Sequence, residues 1–175
     1  MCPGMADDLQ QVDDSRKTAI IDRELNKLNI DVAALQETRL PDNGSIKEIN
    51  YTFFWQGKDH TKPRLHGVGF AVKNTLLPLI EPPQEGTERL LCINFSAQNR
   101  KVHIISAYAP TLTSSDEVKD QFYEELNCLL TQIPARDQIY ILGDLNARIG
   151  NDHEAWPDCL GRRGIGKINN NGQRL

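Results

Sequence analysis

A layered domain of the α/β or α+β type is what this sequence predicts, on three observations. Stretches of helical periodicity alternate with short strand-like runs along the chain, and layered domains are built from that alternation. In each strand-like run, β-branched and aromatic residues predominate between turn formers such as Asn43-Gly44, Pro82-Pro83 and Gln98-Asn99. No repeat, low-complexity tract or linker interrupts the 175 residues, a length that suits one domain with a substantial core.

The first helix is expected from about Ser15 to Leu28. Asp14 or Ser15 can cap it, and Ile21, Leu25 and Leu28 share one face at i, i+4 and i+7. Asp31-Val-Ala-Ala-Leu35 then reads as a short buried strand. Further strands are expected at 51–56, 67–72, 89–95 and 101–108. A second helix is signalled by Ser114-Ser115-Asp116-Glu117, a capping box with Ser114 as cap and Glu117 reaching back. Val118, Phe122, Leu126, Leu129 or Leu130, and Ile133 form its apolar stripe, and Pro134 ends it. Gln138-Ile-Tyr-Ile-Leu142 is a further buried strand that runs straight into Gly143-Asp144-Leu145-Asn146, and the remainder reads as loop.

Composition narrows the setting. Hydrophobic residues at 39% and charged residues at 25% are ordinary for a folded soluble chain. The net charge of −4 offers no global attraction to nucleic acid or anionic membrane. Arg162, Arg163, Lys167 and Arg174 face no acidic residue between Gly161 and Leu175, so any polyanion contact is local. Cys2, Cys92, Cys128 and Cys159 form no C-x-x-C pair and read as reduced thiols. The acidic N-terminus is unlike a signal peptide, and no apolar run reaches membrane-spanning length. An intracellular chain, nuclear or cytoplasmic and without a membrane partner, is the expectation.

Three polar clusters each follow a strand: Gln36-Glu37-Thr38-Arg39, Tyr108-Ala109-Pro110-Thr111 and Gly143-Asp144-Leu145-Asn146-Ala147-Arg148. Ligand sites gather at strand ends, where a rigid scaffold presents loop side chains. Glu37 and Asp144 are hard oxygen ligands suited to Mg²⁺, which proteins hold with one or two carboxylates plus substrate phosphate. Asn146 adds an amide able to bind a phosphate oxygen or orient water, and Tyr108 a phenol able to hydrogen-bond developing charge. Any one cluster alone could be a cap, a turn or a strand end. Their order, each after its own strand, is the stronger signal.

Together, Gln36-Glu37-Thr38, Tyr108-Ala109-Pro110-Thr111 and Gly143-Asp144-Leu145-Asn146-Ala147 resemble the signature of the endonuclease/exonuclease/phosphatase superfamily. The likeness is strongest to the endonuclease domain of RTE-type LINE retrotransposons and their host-encoded relatives, and spans essentially the whole chain, from Cys2-Pro3-Gly4 to Asn171-Gly172-Gln173-Arg174-Leu175. It implies a four-layer α/β sandwich of two packed mixed sheets flanked by helices. It also implies a divalent-metal-dependent endonuclease acting on DNA, with Mg²⁺ or Mn²⁺ and no small-molecule cofactor. Glu37 would bind the metal; Asp144, also near the metal, would position or deprotonate the attacking water. Asn146 would contact the phosphate and Tyr108 would stabilise the transition state. Arg39, Arg148 and Asn171 would be contacts to the nucleic-acid backbone.

The family pattern also has parts not found here. Members open with a strand ending in a metal-site Asn and close with an Asp near the metal and a Ser-Asp-His. The chain therefore reads as a partial domain over 1–175, lacking the first strand and the C-terminal strands. None of His60, His66, His103 and His153 stands in a Ser-Asp-His arrangement. His60 and His66 read as loop residues, and alternation turns His103 to solvent. An inactive or nearly inactive chain is expected, marginally folded, with weakened metal and DNA binding. The alternative is a catalytically dead binding or regulatory module on the same scaffold.

Overall fold

The computed structural model describes residues 14–81, 83, 86–97, 100–154 and 164–175. Cys2-Pro3-Gly4, Pro82, Gln98-Asn99, Cys159, Arg162 and Arg163 lie outside the described residues, as do the side chains of Asp14 and Ser15. In chain order the elements are α1 (Asp14–Lys27), β1 (Val32–Gln36), β2 (Asn43–Lys47), β3 (Tyr51–Gln56), β4 (Val68–Lys73) and a 3-10 turn (Asn74–Leu79). Then follow β5 (Ile80–Glu81), β6 (Leu90–Ala97), β7 (Arg100–Tyr108), α2 (Asp116–Thr131), β8 (Gln138–Asp144) and α3 (Asn170–Arg174).

Two four-stranded sheets result, ordered β1-β4-β3-β2 and β5-β6-β7-β8. Every pairing in the first is antiparallel. The second is mixed, because β8 joins β7 in parallel after the α2 crossover, with Tyr108 opposite Asp144.

Period-two alternation assigns the strand faces. Val68, Phe70 and Val72 of β4 meet Leu91 and Ile93 of β6 and Tyr108 of β7, so the two sheets pack face to face. The other face of β4 offers Ala71, which clusters with Tyr51 and Phe53 and receives Leu25 of α1. On the far side, Leu90, Ile105 and Ala107 pack against Phe122, Tyr123 and Leu126 of α2. The order helix, sheet, sheet, helix is the four-layer α/β sandwich. Fully burying a side chain such as Phe70 between the sheets contributes roughly 1.5–3 kcal/mol.

Several local expectations change. Asn43-Gly44 lies inside β2, where Trp55 packs over Gly44, so the turn it suggested is absent. The α2 cap is Ser115, one residue after the expected Ser114, and Val118 of the expected stripe is exposed. Leu25 does face the sheet, but Leu28 and Ile21 are exposed; buried Asp22 takes the inward position instead. Asp22 accepts hydrogen bonds from the backbone N–H groups of Asn50 and Tyr51 and from the Asn50 amide, which anchors α1 to the start of β3. His103 is buried, not solvent-facing, with Nε2 3.2 Å from Asp137 Oδ2. The tail holds a short helix, α3, where loop was expected. β8, expected to be buried, exposes both faces, for reasons taken up in the Discussion.

Candidate active site

The C-terminal ends of β1, β7 and β8 converge, which brings the three polar clusters to one end of the sandwich. Between the sheets a polar bridge crosses just beneath it. The Gln36 amide donates to Ser106 Oγ at 3.2 Å, and Ser106 Oγ donates to the Leu35 carbonyl at 3.3 Å.

Glu37 leaves β1 with φ of 55°, and Arg39 and Asn146 are likewise left-handed at 54° and 46°. For residues other than glycine this backbone is uncommon, and it recurs where side chains are aimed for function. The loop after β1 is clamped from one side. Thr38 N–H donates to Gly67 O and Arg39 N–H to His66 O, while Gly67 N–H donates to Glu88 O. Gly67 has φ of +130°, and a Cβ there would lie 2.3 Å from Thr38 Oγ1, so glycine is required.

Tyr108 hydroxyl donates to Glu37 Oε1 at 2.8 Å, and Arg39 donates to Oε2 at 3.1 Å. These two donors, Tyr108 first, hold the Glu37 carboxyl below its ordinary range, so it is ionised at neutral pH. Burial pushes the Tyr108 phenol up, and the Glu37 bond adds to it, so Tyr108 remains a donor. The Asp144 charge is near enough to raise it further.

Gly143 has φ of +145°, and a Cβ would fall 1.9 Å from the Ala107 carbonyl oxygen, so glycine lets β8 lie close on β7. Asp144 Oδ1 then accepts the Asn146 N–H at 2.8 Å, and the Asn146 amide donates to Ala109 O at 2.9 Å. This turn leaves Asp144 exposed at the strand end with Asn146 half-buried beside it. Glu37, Tyr108, Asp144 and Asn146 are thus gathered.

The predicted backbone contacts fare differently. Arg39 is exposed but spends its guanidinium on Glu37. Arg148 is exposed beside the site loop. Asn171 is fully buried, which corrects its assignment as a nucleic-acid contact: its amide donates to Pro110 O at 2.8 Å and to Leu145 and Asn146 carbonyls at 3.4 and 3.3 Å. It braces the Asp144 loop from behind. Asn169, not anticipated, assists by donating to Asn146 O and accepting from Arg148 N–H. Arg174 pairs with Asp120 and Asp116 of α2, so it is not part of a free basic stripe.

Sequence reasoning missed two further residues. His66, read as a loop residue, stands edge-on to the Tyr108 ring with centroids 6.0 Å apart. Arg89 lies over the same ring, 5.4 Å from its centre. The signal available in the sequence was weak: both sit next to strands, but neither forms a motif.

Could this end hold a divalent cation? Glu37 and Asp144 are a pair of carboxylate oxygen donors, with Glu37 already ionised, and that chemistry fits Mg²⁺ or Mn²⁺. Bringing a cation to Glu37 would release Tyr108 and Arg39 from it. Among the described residues, the one grouping of three acidic or imidazole side chains close enough to share an ion is exposed and elsewhere, at Asp42, Asp59 and His60.

The family model described as Endonuclease/Exonuclease/phosphatase family matches residues 9–175. The chain is 27% identical over 159 residues to craniofacial development protein 2 of Bos taurus, covering 91% of this chain and 26% of that protein. It is 26% identical over 159 residues to craniofacial development protein 2 of Tragulus javanicus, covering 91% and 27%. The chain thus spans about a quarter of the length of these curated relatives. In fold it is similar to the AP endonuclease LMAP of Leishmania major, with TM-score 0.51, 16% identity, and coverage of 77% of this chain and 51% of that one. A comparable likeness, TM-score 0.51 and 14% identity over 79% and 62% of the two chains, holds for an endonuclease/exonuclease/phosphatase family protein of Leptotrichia buccalis C-1013-b. Among the described residues no helix is long and apolar enough to cross a membrane. With the sandwich, the converging strand ends and the family match over nearly its whole length, this chain belongs to the endonuclease/exonuclease/phosphatase family.

Proposed function

We propose that this chain carries part of the catalytic end of a divalent-metal-dependent endonuclease whose substrate is the DNA phosphodiester bond, with a retrotransposon-type ancestry. The observation that carries the reading is the Tyr108–Glu37 hydrogen bond of 2.8 Å, with Asp144 opposite Tyr108 on the next strand. A bound divalent cation supplies charge neutralisation at the phosphate and lowers the pKa of bound water. Glu37 and Asp144 would hold it. Asp144 also orients the attacking water or takes its proton. Asn146 keeps one amide proton on Ala109 O and has a second for a phosphate oxygen. Tyr108, once parted from Glu37, donates its proton to the phosphoryl oxygen where charge develops. Arg148 at the loop and Arg39, when displaced from Glu37, would contact the phosphate backbone.

The isolated chain is expected to be a poor enzyme. The described residues place one histidine beside the site, His66, and burial, with Arg89 next, pushes its pKa down, so it brings no positive charge to a phosphate. General acid–base groups typically contribute about 10²–10⁴-fold. Plasmid nicking with Mg²⁺, against EDTA and a Glu37→Ala variant, tests the reading. Little or no cleavage by the wild-type chain is expected, and robust nicking abolished by Glu37→Ala would refute the expected inactivity while supporting the role of Glu37.

A second reading, a non-catalytic binding module on this scaffold, is favoured by the Arg39–Glu37 ion pair, which neutralises the principal metal ligand. Titrating DNA binding against salt separates the two. A falling log affinity with log salt supports DNA contact, and no binding at low salt leaves the partner-module reading.

A further inference from the structure

Arg89 grips Tyr108 at three points. Its guanidinium lies over the ring at 5.4 Å, its Nη1 donates to the Tyr108 carbonyl at 3.0 Å, and its own carbonyl accepts the Tyr108 N–H at 2.8 Å. Its Nη2 lies 3.0 Å from His66 Nε2. A guanidinium can only donate, so Nε2 accepts and the His66 proton must sit on Nδ1. The imidazole is thereby fixed as one neutral tautomer, in a T-shaped contact with the Tyr108 ring at an interplanar angle of 61°.

This arrangement is a poor way to gain stability. Arg89 is half-buried, yet it meets a neutral imidazole, while Glu88 next to it pairs with Lys58 at 3.2 Å. Among the described residues, the protonated Nδ1 is buried without a hydrogen-bond partner, a cost that apolar packing would avoid. What the pair does accomplish is geometric. The ring of Tyr108 is met by Arg89 and by His66, and its backbone is held by Arg89.

We propose that Arg89 and His66 are positioning residues that lock the Tyr108 ring so that its hydroxyl points at Glu37, and at the phosphoryl oxygen once a cation draws Glu37 away. They touch neither metal nor phosphate and act only through Tyr108. The inference rests on the role proposed for Tyr108, but its test reads the ring directly, without metal or DNA, so a failed nicking assay leaves it standing.

The test is NMR on the full chain labelled with ring-¹³C tyrosine and ¹⁵N histidine, with the Tyr108 signals identified by their loss in Tyr108→Phe. In the wild type, Tyr108 flips slowly and His66 shows the Nδ1–H tautomer. In Arg89→Met the flip rate rises by about tenfold or more and the His66 nitrogens shift toward a tautomer mixture. His66→Phe keeps an aromatic edge but removes the acceptor, and raises the flip rate by about threefold. The buried rings of Tyr51 and Tyr123 report folding and stay unchanged. If Arg89→Met does not fold, Arg89→Lys serves: it keeps the charge but loses the planar fork, and faster flipping is still expected. A Tyr108 flip rate unchanged in the folded Arg89 variant overturns the proposal.

Discussion

β4 and β8 read almost alike in sequence, Val68-Gly-Phe-Ala-Val72 against Gln138-Ile-Tyr-Ile-Leu142, and have opposite fates. β4 lies between β1 and β3 and is covered on both faces, so Val68, Phe70, Ala71 and Val72 are inaccessible. Among the described residues, β8 has β7 as its one strand neighbour. Its Ile139, Tyr140, Ile141 and Leu142 are 40%, 51%, 36% and 37% exposed. Apolar composition decides that a strand can be buried, while the number of neighbours decides whether it is. The candidate site draws on the second kind of strand: Asp144 ends β8, whereas β4 contributes none of the candidate residues, only the Gly67 turn before it.

Breaking the comparison from the buried side should produce the largest change. Phe70→Ala should cost about 3–5 kcal/mol by urea denaturation, enough to unfold much of the population. A loss below about 1 kcal/mol would mean that β4 is not the centre of the core.

Asn171→Ala probes how the exposed strand's loop is held from behind. Removing a fully buried amide from the carbonyls of Pro110, Leu145 and Asn146 should cost about 1–3 kcal/mol. Limited proteolysis should report the effect first around the Asp144 loop. Uniform loosening would argue against a local brace.

Asp137 fastens the start of β8 to β7, and its effect is set by pH. The backbone N–H of Lys101, then the His103 ring, hold its carboxyl below the ordinary value. A depressed folded pKa gives stability that is present above the unfolded value near 3.9 and lost as pH falls through the folded one. Asp137→Asn should therefore lower Tm by a few degrees between pH 5 and 8, with the gap closing below about pH 4. A gap that widened at low pH would reverse the assigned sign.

The smallest effect should come from β8 itself. Ile141→Ala or Tyr140→Thr should change stability by no more than about 0.5 kcal/mol. Tyr140→Lys should reduce self-association in sedimentation, because an open apolar edge invites strand pairing between molecules and a charge on it opposes that. Unchanged association would show that the edge is not sticky.

Much of this was legible in the chain alone. β3 occupies the expected 51–56, and β1, β4, β6, β7 and β8 fall within two residues of expectation, because short β-branched and aromatic runs between breakers have few other uses. Glu37, Tyr108, Asp144 and Asn146 stood out as candidates in the chain because they cluster at the ends of three strands, β1, β7 and β8. Partners drawn from elsewhere were not. Nothing in the chain marked Asp22, which three donors from the Asn50–Tyr51 corner hold in place. His103 looked outward until Asp137 arrived beside it, and Asn171 looked like a surface contact until the loop closed over it.

By itself the sequence determined where six of the eight strands form, all but β2 and β5, since backbone sterics and side-chain alternation act within a few residues. It also determined which polar residues stand at strand tips. Only the tertiary structure decided which tips meet, which apolar strand is covered, and that Arg89 and His66 close around Tyr108. Those outcomes depend on contacts between residues far apart in the chain, and local preference carries no information about which distant groups will be neighbours.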